Sequence, residues 1–312
     1  MTDSIHKTVL LNETIDGLLA SPKRSEGGNE KLVVVDATFG GGGHSVEICK
    51  RYKGIKIIAL DQDKSAFAKA KSKFKGLDCD ITFVNSNFRD LDKVAYSVDA
   101  IMFDLGLSSD QLENSGRGFS FFKNEPLLMT MKANPNREDL TAQDIVNTWS
   151  EKSLADIIYG YGEEKFSRRI ARGIVEARKR SKIKTTFDLV KIIEESVPAR
   201  FAKASARRAI YQRGKIHYAT RTFQAIRIAV NDELGALSLG LEKGFNALRA
   251  GGRMAVISFH SLEDRITKRF FKDKEKQGTA RLLNKKPIVA GKEELKNNPR
   301  ARSAKLRIIQ KI

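Results

Sequence analysis

The stretch from Lys31 to His44 constrains this chain more than any other. A strand signal, Lys31-Leu32-Val33-Val34-Val35-Asp36, comes first, and four consecutive glycines, Gly40 to Gly43, follow before His44. A short, apolar, β-branched run reads as a strand buried on both faces. Glycines directly after it allow a tight turn into a helix, here from about Ser45 to Tyr52. They also bring a ligand close to bare N–H groups at that helix N-terminus. Open α/β sheets bind ligands just after the first strand. The run is no Walker loop, because no Gly-Lys-Ser/Thr follows, and it is not a clean G-x-G-x-x-G.

The same rhythm continues downstream. Strands are predicted at Ile55–Leu60, Ile81–Val84 and Val98–Phe103, with an Ala- and Lys-rich helix from about Lys64 to Phe74. Strands alternating with helices imply a parallel, doubly wound sheet, an α/β fold. From about Gln111 to Arg213 no buried strand is evident, and helical periodicity replaces it. Phe166, Ile170 and Ile174 form one stripe, with Arg168, Arg169 and Arg172 off it. Thr185 and Asp188 make a capping-box pattern, and Pro198 closes that helix. The sheet is expected to resume after one long amphipathic helix from Phe223 to Leu248, ended by Gly251-Gly252. A fifth strand follows at Met254–Phe259, a helix at Ile266–Lys272, a loop region to about Arg302, and an edge strand at Ala304–Ile309. The expected division is a discontinuous sheet domain, 1–112 and 214–312, interrupted by an all-helical insertion at 113–213.

Charge narrows the partners. The 312 residues carry 57 Lys and Arg against 38 Asp and Glu, a net +19. Lys165–His217 and Arg265–Ile312 each carry +12, and the remainder is mildly acidic. Two basic segments on an acidic body point to a polyanion. No run of about 18 apolar residues spans a membrane, and the first residues lack a secretory core. Cys49 and Cys79 make neither a disulfide framework nor a metal spacing, so a reducing cytoplasm is the simplest compartment. Four separated histidines, His6, His44, His217 and His260, form no metal-ligand pattern. His44 stands apart because it ends the glycine run.

Candidate site residues fall where strands end. Asp61 closes the second strand, where a carboxylate can accept both hydroxyls of a ribose in NAD or an adenosyl group. Asp63 reads instead as the start of the next helix. Asn87-Phe88 follows the third strand, where Phe88 could meet an adenine ring or join the core. Asp104 closes the fourth and opens Asp104-Leu105-Gly106-Leu107-Ser108-Ser109, a setting in which Asp104 and Ser108 could hold an amino group. Ser109 and Asp110 read equally well as helix caps.

Seven motifs then stand in order: Thr38–Ser45, Asp104–Ser109, Gly116–Phe121, Tyr161–Glu164, Ala219–Gln224, Ser258–Arg265 and Asn298–Ser303. Together they resemble the bacterial 16S ribosomal RNA cytosine-N4-methyltransferase family, from about His6 to Arg307. The resemblance implies a Rossmann-like S-adenosylmethionine-dependent methyltransferase sheet with a helical insertion that recognises RNA. It implies methyl transfer from S-adenosyl-L-methionine to the exocyclic N4 of a cytosine in the decoding region. The implied partner is 16S rRNA or the small ribosomal subunit, with no membrane and no metal; the oligomeric state, homodimer included, stays open. Carried over by motif, the cofactor residues are Gly42, Gly43, His44, Asp61, Phe88, Asp104 and Gln111. Asp104 and Ser108 would orient the target amine. Arg168, Arg169, Arg172, Arg207, Arg208, Arg300 and Arg302 would grip RNA phosphates.

The chain departs from the family pattern at two places. The usual Pro-Leu-Asp-Met-Arg-Met run stands here as Pro126–Met131, with Leu128 and Thr130 replacing the acid and the arginine. Tyr218 stands where proline is usual. Leu128 and Thr130 make a non-catalytic RNA-binding or ribosome-assembly relative the alternative reading, and a nicotinamide oxidoreductase on the same sheet is a third.

Overall fold

A computed structural model describes residues 8–20, 31–199 and 217–312. They form two compact units, Met1–Ser108 with Leu234–Ile312, and Ser109–Glu233.

The first unit is built on seven strands: β1 (Val33–Asp36), β2 (Ile55–Asp61), β3 (Cys79–Asn85), β4 (Val98–Asp104), β5 (Leu248–Ser258), β6 (Ala280–Leu282) and β7 (Lys305–Lys311). Their order is β3-β2-β1-β4-β5-β7-β6. The five strands from β3 to β5 run parallel, and β7 is antiparallel to both its neighbours. The chain crosses from β1 outward to β2 and β3, then back across β1 to β4. This reversal opens a crevice beyond the carboxyl ends of β1 and β4.

Side-chain alternation makes the sheet two-faced. Val34, Ile57 and Met102 enter one core with Ile48 of helix α2 (Gly43–Arg51) and Leu18 of α1 (Leu11–Leu19). Val35, Ile101 and Phe103 enter the opposite one. An apolar strand with no polar face, such as Val33-Val34-Val35, fits only this double cover. Phe103, 1% exposed, meets Phe88 edge to face at 5.6 Å between ring centres.

Several expectations change. The run from Phe223 to Leu248 is two helices, because Asp232 adopts a left-handed φ of 46° between them. The C-terminal strand is no edge strand: β7 lies inside, between β5 and β6. The expected loop at 272–302 contains β6, a helix at Lys292–Asn297 and a 3₁₀ turn at Pro299–Ser303. Gly251-Gly252 falls inside β5, at a register shift against β4, rather than at a helix end. Cys49 of α2 and Cys79 of β3 meet as a disulfide, with 5.6 Å between their Cα atoms. Sequence spacing alone gave no hint of that meeting, since the crossover from α2 through β2 to β3 creates it.

The second unit contains α4 (Ser109–Asn114), α5 (Ala142–Thr148), α6 (Glu151–Gly160), α7 (Ser167–Arg180), α8 (Thr186–Ser196) and α9 (Thr220–Asn231). Thr185 and Asp188 form the expected capping box, and Thr141 with Asp144 forms another. In α7, Ile170 and Ile174 are buried while Arg168, Arg169 and Arg172 are exposed. Helix α9 ties the unit together. Near its start, Arg221 and Gln224 donate to the Glu163 and Tyr161 carbonyls at 3.1 and 2.9 Å. At its end, Asn231 donates to the Met129 carbonyl and accepts the Met131 N–H, both at 2.8 Å. Met129 and Glu163 are the non-glycine residues so held, with left-handed φ of 54° and 50°. Among the described residues, no helix is long and apolar enough to cross a membrane.

Truncating Phe103 to alanine should cost about 3–5 kcal/mol. A urea titration of the variant should show a lower midpoint at an unchanged slope.

Candidate active site

The crevice in the first unit is assembled by strand ends. Asp36 is the last residue of β1 and is 1% exposed. Its carboxylate accepts the Ser45 hydroxyl at 2.6 Å and the Thr38 N–H at 3.3 Å. Burial outweighs those bonds and pushes its pKa up to about 6. Thr38 reaches across to β4, its hydroxyl accepting the Asp104 N–H at 2.6 Å. Phe39 packs into the ring cluster of Phe67, Phe74 and Phe83, which anchors the glycine run from below. Gly42 caps α2 at φ 71°, and a Cβ there would stand 2.6 Å from the Phe39 ring. No other residue fits both demands.

Asp61, closing β2, braces the loop. Its two oxygens accept the Gly40 and Asp63 N–H groups at 2.7 and 2.8 Å. Asp63 turns away to accept the Ser65 hydroxyl at 2.6 Å, opening helix α3 (Ser65–Ala70) as its sequence suggested. Lys73 donates to the Gly41 carbonyl at 2.9 Å.

Asp104 forms the floor. Its side chain is 23% exposed, and its Oδ2 lies 3.7 Å from Nδ1 of the buried His44. Its Oδ1 is buried with no hydrogen-bond partner among the described residues. Burial, then the charges of Asp36 and Glu263, raise its pKa to about 8. Glu263 belongs to helix α11 (Ser261–Lys276), entered from β5, and it closes a capping box with His260. Ser108 approaches the loop, its Cβ 3.6 Å from where a Cβ on Gly40 would lie.

Gly42, Gly43, His44, Asp61, Asp104 and Ser108 thus gather around the carboxyl ends of β1, β2 and β4. Phe88 follows β3 and packs on Phe103, and a Cβ on Gly240 of helix α10 (Glu233–Ala247) would stand 2.7 Å from its ring. Gln111 lies on α4 of the helical unit. Asp36, Thr38 and Glu263 join the site without a role that the sequence assigns, although Thr38 and Glu263 lie within the motifs Thr38–Ser45 and Ser258–Arg265. Asp36 carried a signal, a lone acid closing an apolar strand. Glu263 carried half of one, since its capping partner is a histidine rather than Ser or Thr.

Of the phosphate-gripping candidates, Arg168, Arg169, Arg172, Arg300 and Arg302 are exposed. Arg207 and Arg208 lie outside the described residues. Part of the basic surplus is internal. Arg307 is 7% exposed and donates to Asp264 at 2.7 Å, Lys311 donates to three backbone carbonyls, and Arg178 donates to the Val146 and Trp149 carbonyls.

The departures are accommodated within the helical unit. Thr130 is buried, and its hydroxyl donates to the Lys132 carbonyl at 3.1 Å. Arg117 donates to the Thr130 and Met131 carbonyls at 3.0 and 2.8 Å. The backbone of this run is therefore fixed without an acid at 128 or an arginine at 130. Tyr218 is buried and hydrogen-bonds Glu194; burial, followed by that negative charge, pushes the phenol up to about 12.

A carboxyl whose Oδ1 has no hydrogen-bond partner among the described residues can stabilise a cation once it ionises. A diphosphate would meet Asp36 and Asp104 directly behind the glycine loop, so the crevice suits a sulfonium nucleoside better than NAD. Sheet order and recess define the class: a Rossmann-like, S-adenosylmethionine-dependent methyltransferase. The profile of the MraW methylase family matches residues 3–312. A ribosomal RNA small subunit methyltransferase H of Clostridium botulinum (strain Kyoto / Type A2) is 44% identical over 329 residues, covering 98% of this chain and 99% of its own. Its counterpart in Paenibacillus sp. (strain JDR-2) is 42% identical over 334 residues, at 98% and 99% coverage. That of Sulfurihydrogenibium sp. (strain YO3AOP1) is 47% identical over 288 residues, at 91% and 94%. The chain belongs to the MraW methylase family.

A cation brought beside Asp104 must displace its proton. Below pH 8 that proton is bound in the free protein, so affinity for S-adenosylmethionine should rise with pH from 6 to about 8, by up to about tenfold per unit. The demethylated product, whose sulfur is uncharged, should show a shallower slope. Calorimetric titrations of both ligands across this range check the difference, and Asp104→Asn should flatten it.

Proposed function

We propose that this protein transfers a methyl group from S-adenosylmethionine to the exocyclic N4 of a cytosine in the decoding region of 16S rRNA. Near-full-length similarity to small-subunit rRNA methyltransferases carries the substrate class. Asp104 Oδ1, which has no hydrogen-bond partner among the described residues, supports the choice of an amine as acceptor.

The cofactor supplies an electrophilic methyl group on a positive sulfur. Gly42, Gly43 and His44 would line its amino-acid end, Asp61 would accept its ribose hydroxyls, and Phe88 would flank the nucleoside, while Gln111 is carried as a cofactor residue by the family motif alone. The cytosine amine is a weak nucleophile because its lone pair is shared with the ring. Asp104 and Ser108 accept its N–H groups and fix the direction of the lone pair. Such positioning contributes about 7–11 kcal/mol when reacting atoms are held about 3–3.5 Å apart. The amine proton leaves to water after transfer. The target base must be unpaired or extruded to enter the crevice, and the exposed arginines of α7 with Arg300 and Arg302 would hold the flanking phosphates. The protein works in the cytoplasm on this reading, and a homodimer is one arrangement it would allow.

The reading as a non-catalytic relative rests on Leu128 and Thr130 alone. Tritium transfer from labelled S-adenosylmethionine to purified small subunits decides between the two. The wild-type chain should transfer label, and Ser108→Ala should slow transfer at least about tenfold without changing cofactor affinity. A wild-type chain that binds subunits without transferring label would establish the non-catalytic reading. The Leu128→Asp, Thr130→Arg pair should change the rate less than Ser108→Ala does. RNA affinity should fall steeply with salt, and neutralising Arg168, Arg169 and Arg172 together should lower the log–log slope by about 2–3.

A further inference from the structure

The helical unit carries an aromatic group that the reaction does not use. Phe121 lies nearly parallel on the His217 ring, with centres 4.8 Å apart and planes at 12°. Phe122 leans on Phe121 at 4.6 Å and stands 6.0 Å from His217. Phe223 of α9 meets Phe121 edge-on at 5.5 Å, and Tyr218 closes on His217 at 4.0 Å. Burial grades outward through this stack. Phe223 and Tyr218 are buried, Phe121 and His217 are half-buried, and Phe122 is 66% exposed.

The inner rings are explained by packing, but Phe122 is not. An exposed phenyl on the outer side of a rigid stack gains little from the fold and leaves a flat apolar face to solvent. The imidazole beside it has a defined role. His217 Nδ1 accepts the Ala219 N–H at 3.2 Å, so the proton of the neutral ring sits on Nε2 as a donor. Burial lowers the His217 pKa, which keeps the ring neutral. A π-face next to a single N–H donor matches a nucleobase, which offers a π-face and edge acceptors. The exposed arginines of α7 give the same unit the positive charge that an RNA backbone requires.

We infer that Phe122, backed by Phe121 and His217, is a stacking platform for an unpaired base of the substrate RNA. The inference rests on the RNA-methyltransferase reading and adds to it a residue that selects unpaired RNA.

The test measures binding of a fluorescein-labelled, cytidine-containing single-stranded RNA by anisotropy, alongside tritium transfer to small subunits. Phe122→Ala and Phe122→Leu should each weaken RNA affinity by about 5- to 150-fold, the range of one lost base stack, while Phe122→Trp retains it. Cofactor affinity should be unchanged in all three, since the side chain is largely exposed. Replacing nucleotides one at a time by abasic sites should locate one position at which Phe122→Ala costs nothing further. The platform is overturned if alanine binds RNA like the wild type, or if leucine substitutes fully for an aromatic ring. It is equally overturned if only binding to assembled subunits suffers, which would mark a protein contact. A wild-type chain that neither binds RNA nor transfers label would instead sink the RNA-methyltransferase reading, and the platform with it.

Discussion

A parallel strand covered by helices on both faces has no place for a charged group except at its ends. That constraint organises the catalytic unit. Asp36, Asp61 and Asp104 each close a strand whose immediately preceding residues are apolar, so the topology that buries the strands also collects these acids on one rim. Once collected, the acids affect one another. Asp104 resists ionisation because it is desolvated and because Asp36 and Glu263 are near. A cationic ligand is the simplest relief for such a cluster. The preference of the recess thus follows from how the sheet hides its apolar residues.

The helical unit follows a different logic. Its strained backbone at Met129 and Glu163 is held by polar side chains at the two ends of α9. Left-handed conformations at non-glycine residues cost roughly 1–3 kcal/mol each and persist where the surroundings over-determine them. Here the Arg221, Gln224 and Asn231 side chains supply that determination. The Pro126–Met131 run therefore keeps its course despite the altered residues at 128 and 130.

Much of this was legible in the chain. The strands expected at 31–36, 55–60 and 98–103 were readable because double burial demands largely apolar runs, and Asp61 and Asp104 were conspicuous just past their ends. The capping box at Thr185 was readable because it is local. What escaped depended on distant partners. Asp232 breaks a continuous apolar periodicity, and nothing in that periodicity marks the break. The meeting of Cys49 with Cys79 is created by the crossover between them. Charge also misled in part, since Arg307, Lys311 and Arg178 count as basic residues yet spend their donors on the protein itself.

The position of β7 has a consequence for biogenesis. It is the last of the seven strands to be synthesised, yet it lies between β5 and β6. Until it emerges, β5 presents an unpaired ladder edge and β6 has no neighbour at all, and open edges of this kind invite pairing with other chains. The nascent sheet therefore cannot close progressively from one side to the other. It stays unsealed until the final stretch threads into the gap, so the interval between translating β5 and β7 is when the newborn chain is most exposed to aggregation.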